Sequence, residues 1–166
     1  MAYRNKTYIC FDGDTDMKYY RLMTAWAENE NFNFTFYNAH DLNSARDSSQ
    51  EESIKRQLRE RFANSKLLVV LIGEKTKLLT KFVKWEMEVA VRLDLPIVGV
   101  NLNNSRVIDD RCPLTIKTEL AVYVPFGAKI IEYAMKNWPA DHLSYRKQNK
   151  TGAFQYTETT YKSLGL

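Results

Sequence analysis

Apolar and polar positions along the chain follow two alternating periods. Thr7 to Phe11 is a short β-rich run closed by Asp12, Gly13 and Asp14, a cluster suited to the loop after a strand. Tyr19, Leu22, Met23, Trp26 and Ala27 then recur at helical spacing, and Asp14 or Asp16 is placed to cap the first turn by accepting backbone N–H bonds. Phe34 to Tyr37 is a second β-like run, stopped by Asn38, and the polar stretch from His40 to Gln50 reads as a loop. From Ser53 onward, Ile54, Leu58 and Phe62 return every fourth position while Lys55, Arg56, Arg59 and Glu60 take the other faces, so an amphipathic helix follows.

Leu67 to Ile72 is apolar without interruption and ends at Gly73, as a central strand buried on both faces requires. A helix from Lys81 to Leu93 and a strand from Pro96 to Leu102 come next. The order β, α, β, α, β, α, β predicts a parallel sheet, because each parallel pair needs a crossover. Ala121 to Val124 reads as a fifth strand, and Ile130, Ile131, Ala134 and Trp138 as a further helix that Pro139 would stop. The fold class expected is therefore α/β, an open parallel sheet of four to five strands with helices on both faces. The Lys, Gln, Thr and Tyr mixture from Pro139 to Leu166 has little periodicity, and both a packed extension and a partly disordered tail stay open. Residues 1–138 are taken as one domain and 139–166 as a C-terminal extension.

Composition narrows the function classes. The 166 residues suit a single domain, and 24 Lys plus Arg stand against 20 Asp plus Glu, a formal +4. Arg56, Arg59 and Arg61 are interleaved with Glu51, Glu52 and Glu60, a mixed solvated surface rather than a basic stripe, so no nucleic-acid partner is expected. The start MAYRNKTYICF lacks the apolar core of a secretory signal, and no window of about 18 apolar residues exists to span a membrane. A cytoplasmic protein with no membrane partner is expected. Cys10 and Cys112 stand far apart, which argues for reduced, ordinary cysteines rather than a disulfide or a Cys-rich metal site.

Several familiar motifs fail. Asp12, Gly13, Asp14, Thr15, Asp16 superficially matches the aspartate pair of haloacid-dehalogenase-type phosphatases, but Asp16 stands where that pattern wants Thr or Val. Capping and loop solvation are the favoured reading of these aspartates. A response-regulator receiver needs a phosphate-accepting Asp at the end of the third strand, where this chain has Gly73 and Glu74. No GxxxxGK[ST] or GxGxxG follows any strand, and His40 and His142 are too isolated to suggest a metal site.

The sharpest signal lies in KFVKWEMEVAVRL, Lys81 to Leu93. With successive residues about 100° apart, Glu86 falls inside the apolar face among Phe82, Val83, Val89, Ala90 and Leu93. Glu88 shares the opposite face with Lys84 and Arg92 and belongs to a surface charge ladder. A carboxylate among apolar neighbours is costly unless it is paired or opens into a cleft, because desolvation disfavours its charged form. A structural carboxylate bonded to a backbone N–H or to a Lys or Arg is the bland explanation; a catalytic group is the sharp one.

The third strand, its loop and this helix read VVLIGEKTKLLTKFVKWEMEVA, followed by LPIVGV. Gly73, Thr76, Trp85, Glu86 and Ala90 carry a resemblance to the TIR family, in particular its TIR-like bacterial branch and the TIR-type component of the Thoeris antiphage system. The segment YICFDGD and Asn38 fit the same layout, so the resemblance runs from about Tyr8 to Val100. It implies a TIR-like (flavodoxin-like) fold and, in catalytic members, a Glu on this helix that cleaves the nicotinamide–ribose bond of NAD; the matching position is Glu86. It further implies NAD as substrate with no cofactor required, and an effector protein reached through a cyclic ADP-ribose-type product; homo-oligomer formation stays open. Phe11, Asp12, Asn38 and Thr76, at strand ends or in the following loops, and Phe82 on the helix are the expected substrate-binding residues. The family commonly has Trp where this chain has Phe82. The rival reading is a non-catalytic scaffold that acts by association, with Glu86 a structural carboxylate.

Overall fold

A computed structural model describes residues 3–29, 34–37 and 51–166, with side chains described over 7–29 and 52–166. Six strands form one sheet in the order β2-β1-β3-β4-β5-β6, every neighbouring pair parallel. They are β1 (Tyr3–Cys10), β2 (Phe34–Tyr37), β3 (Leu67–Ile72), β4 (Ile97–Asn101), β5 (Ala121–Pro125) and β6 (Ala153–Gln155). The helices are α1 (Met17–Glu28), α2 (Glu51–Ala63), α3 (Phe82–Arg92), α4 (Leu114–Lys117), α5 (Ala128–Lys147) and α6 (Glu158–Ser163). The expected α/β class stands, with one short strand more than the sequence pattern indicates.

The uninterrupted apolar run of β3 has the placement its composition requires, since all six residues are buried. Leu67, Val69 and Leu71 face a core shared with Tyr20 and Met23 of α1 and Ile130, Ile131 and Ala134 of α5. Leu68, Val70 and Ile72 face the other core, with Ile54, Leu58 and Phe62 of α2 and Val83, Met87 and Ala90 of α3. The period of two along each strand thus divides the interior into two layers, one on each side of the sheet. The chain leaves β1 towards β2 on one side and returns to β3 on the other. The switch point of the sheet therefore lies between the carboxyl ends of β1 and β3, the place where open α/β sheets form their ligand crevice.

Two expectations are overturned. Asp16 is the N-cap residue of α1, yet its side chain makes no capping hydrogen bond. Pro139 does not stop the last long helix, because α5 continues to Lys147. Proline removes the N–H that would reach the carbonyl four residues back, but burial on both sides holds the helix together, with Trp138 and His142 only 2% exposed. Beyond the proline, Tyr145 stacks on Phe154 of β6 with centroids 4.5 Å apart, and both rings lie 5.9 Å from Trp138. Tyr161 of α6 is buried in the same core, with the Arg106 guanidinium 3.9 Å above its ring. Of the two alternatives for the tail, it is the packed extension that forms. The expected loop from His40 to Gln50 lies outside the described residues. No helix among the described residues is long and apolar enough to cross a membrane.

Candidate active site

The helical wheel of α3 translates directly into burial. Val83, Glu86, Met87, Val89 and Ala90 are buried, whereas Glu88 is exposed and sits 3.9 Å from Lys84 in an i,i+4 pair. Glu86 is 1% exposed. Its carboxylate is turned towards β1, where Tyr8 and Cys10, two residues apart, project onto the same layer. Burial pushes both the Tyr8 phenol and the Cys10 thiol well up, and the negative charge of Glu86 adds to it in each case. The buried Tyr8 hydroxyl faces Glu86, whose charge and hydrogen bonding both add to the upward shift of the phenol. Cys10 donates a long contact of 3.7 Å to the Val83 carbonyl, and Tyr8 stacks on Phe62 at 3.9 Å. Both cysteines are free and buried.

Phe82 opens α3 four residues before Glu86, half-buried against the same core. The structure thus brings Phe82 and Glu86 onto one helix face. Asp12 and Thr76 fall instead at the carboxyl ends of β1 and β3, and their polar atoms hold their own loops. Asp12 accepts the Asp14 N–H at 3.0 Å and the Thr15 hydroxyl at 2.6 Å. The Thr76 hydroxyl accepts the Gly73 N–H at 2.9 Å and donates to the Leu71 carbonyl at 3.3 Å, pinning the short 3-10 turn Thr76–Leu78 under the sheet edge. Phe11 is turned to the opposite layer, stacked on Tyr20 with centroids 4.6 Å apart. Asn38 lies outside the described residues.

Sequence reasoning did not single out Tyr8 and Cys10 as companions of Glu86, although their i, i+2 spacing on a strand was available as a signal. It also assigned Asp16 only to capping. The Asp16 backbone N–H donates to the Asp12 carbonyl at 2.9 Å, and its carboxylate lies over Gly73, where a Cβ would stand 2.7 Å from Oδ1. Burial raises the Asp16 carboxyl above the ordinary range, with the charge of Asp12 adding; Lys18 and Thr15 oppose the shift, and Glu74 reinforces it.

No curated protein matches the chain. A family model described as the TIR-like domain of the Thoeris protein ThsB matches residues 8–107, more than half of the chain. The match begins at Tyr8 and takes in β3, the Gly73 loop and all of α3, hence Glu86 and the two strand residues that face it. The chain belongs to the family of TIR-like domains of the Thoeris protein ThsB.

Proposed function

We infer that this chain is a NAD-processing enzyme of bacterial antiphage defence that cleaves the bond between nicotinamide and ribose, with Glu86 as its catalytic residue. The observation that carries this reading is a carboxylate held at 1% exposure on the helix at the heart of the family match. Family membership supports the association with defence. In the reaction, the C–N bond at the anomeric carbon breaks and its electron pair leaves with nicotinamide, which departs neutral. Positive charge grows on the ribose as an oxocarbenium-like state, and a nearby carboxylate stabilises it. The desolvated setting of Glu86 strengthens such an interaction, since charge–charge attraction rises as the local dielectric falls. Water capturing the anomeric carbon, with loss of a proton, gives ADP-ribose; attack from within the same molecule gives a cyclised form. A cyclised product would act as a signal to a partner effector in the cytoplasm.

Phe82 lines the approach to Glu86 in this reading, while Asp12 and Thr76 set the crevice edge. Phe11 supports the crevice by its stack on Tyr20 rather than by direct contact. Asn38 remains a proposed substrate contact on the resemblance alone. One observation favours the rival scaffold: Glu86 is enclosed by Tyr8 and Cys10, the setting of a structural carboxylate. Incubation of the protein with NAD, alone and with lysate of phage-infected cells that express it, separates the two. Release of nicotinamide, with products resolved by mass, supports the enzyme; NAD left intact under both conditions supports the scaffold.

A further inference from the structure

Asp16 sits at the switch point with its capping role unfulfilled. An aspartate at the N-cap ordinarily accepts an N–H of the first helical turn. Here α1 spans 12 residues and starts without that bond. The carboxylate is directed instead into the notch above Gly73, between the loops that leave β1 and β3. Asp16 is 6% exposed, and its Oδ2 is buried with no hydrogen-bond partner among the described residues. A buried acceptor without a donor costs about 1 to 3 kcal/mol, more when charged, so groups of this kind call for a reason beyond packing. The notch exists because Gly73 lacks a Cβ. Three features converge: a diverted cap, an orphaned oxygen, and a glycine that leaves room for it.

The charge of the surroundings selects what the orphaned oxygen would meet. Asp12 and Glu74 face Asp16 with the same sign, and Lys18 is the cation that opposes them. Arg111 is held by Glu74 at 3.7 Å. An acidic crevice repels a pyrophosphate and suits a cation bearing hydroxyl donors. Resting on the NAD-processing reading above, we propose that Asp16 is a substrate-binding residue whose carboxylate accepts hydrogen bonds from the ribose hydroxyls beside the cationic nicotinamide ring.

The test measures affinity by calorimetry in the Glu86→Gln protein, in which the proposed turnover is blocked, using NAD, nicotinamide riboside and nicotinamide as probes. Asp16→Ala should weaken NAD and nicotinamide riboside about tenfold and leave nicotinamide within threefold, with no fall in Tm. Asp16→Asn keeps one acceptor and should lie between, which also provides a folded variant if the alanine protein is poorly behaved. A change below threefold for nicotinamide riboside, an equal loss for nicotinamide, or no saturable binding of either ribose-bearing probe overturns the assignment. Turnover of NAD by the unmutated chain is read separately. An inert chain with Asp16-dependent binding would sink the enzyme and keep this site, whereas an active chain indifferent to Asp16 would do the reverse.

Discussion

The two ends of the chain treat buried polarity in opposite ways. In the N-terminal part, Glu86 and Asp16 are carboxylates withdrawn from water at α3 and at the mouth of the β1–β3 crevice. In the C-terminal part, charge stays near the surface: Arg106 pairs with Glu158 at 2.9 Å and Arg146 with Asp94 at 2.9 Å, while the interior is filled by Trp138, Tyr145, Phe154 and Tyr161. Buried carboxylates lower stability unless something compensates, and aromatic packing raises it. On the NAD-processing reading, the first region is the one that would carry the chemistry and the second the one that holds the sheet.

The strongest way to break that comparison is to neutralise Glu86. Glu86→Gln keeps volume and hydrogen-bonding reach but removes the charge that would stabilise an oxocarbenium-like transition state, so NAD turnover should fall by orders of magnitude in a folded protein. Glu88→Gln serves as the control on the same helix. Its loss costs at most the exposed contact with Lys84, about 0.3 to 0.5 kcal/mol for a pair of this kind. Turnover and Tm measured on both variants decide the matter, and a folded Glu86→Gln protein with undiminished turnover would end the catalytic assignment.

A second test addresses the crevice. Gly73→Ala places a Cβ against both Asp16 carboxylate oxygens, and forced overpacking of this kind costs about 1 to 3 kcal/mol. For a chain of this size, Tm should drop by about 2 to 4 °C per kcal/mol. Adding Asp16→Ala removes the obstructing carboxylate and should restore most of the loss. If the double variant melts as low as Gly73→Ala alone, the notch is not what Gly73 provides.

A third sharpens the contrast from the other side. Phe154→Ala removes the ring that stacks on Tyr145 and approaches Trp138 at the outermost strand. A partly buried phenylalanine should cost somewhat less than the about 3 to 5 kcal/mol of a fully buried one, so Tm should fall by several degrees. Nicotinamide release per folded molecule should not change, as checked by scaling activity to the folded fraction from circular dichroism. A turnover loss well beyond the unfolded fraction would tie the C-terminal packing to the chemistry.

How much of this was legible depends on whether local pattern or distant packing decides a position. Glu86 could be placed on the buried face because helical periodicity acts over one element, and the β3 run could be placed in the sheet centre because both its faces are apolar. Asp16 looked like a cap from its position, since nothing nearby in sequence reveals that Gly73, 57 positions on, leaves a notch to receive its carboxylate. Asp12 and Thr76 were assigned to substrate from their place at strand ends, yet only the structure shows their oxygens engaged by their own loops. Pro139 marks a helix end by local rule, and burial of Trp138 and His142 on either side overrides it. A three-residue edge strand such as β6 is too short to carry a period at all.

The smallest expected effect concerns His142, a buried imidazole that belongs to the C-terminal region's packing. Its Nε2 lies 3.4 Å from Asp94 Oδ1 without forming a hydrogen bond of good geometry, and Arg146 binds the same oxygen at 2.9 Å. Burial lowers the imidazole below its ordinary value of 6.5; the attraction of Asp94 works against that and Arg146 with it, and burial wins. The folded protein therefore holds His142 neutral over a range in which the unfolded chain already binds a proton. Stability from this group is present above about pH 6.5 and is lost as pH falls through that value towards the lower folded pKa. His142→Gln removes the titration, so the slope of Tm against pH between about 7 and 5 should flatten, while Tm at pH 8 reports only the change in packing. Asp16 in the crevice responds in the other direction, because burial raises its carboxyl and folding is favoured as it takes up a proton. Acidification should thus loosen the C-terminal helix while relieving the crevice. An unchanged slope in His142→Gln would show that the buried imidazole does not contribute to the acid response.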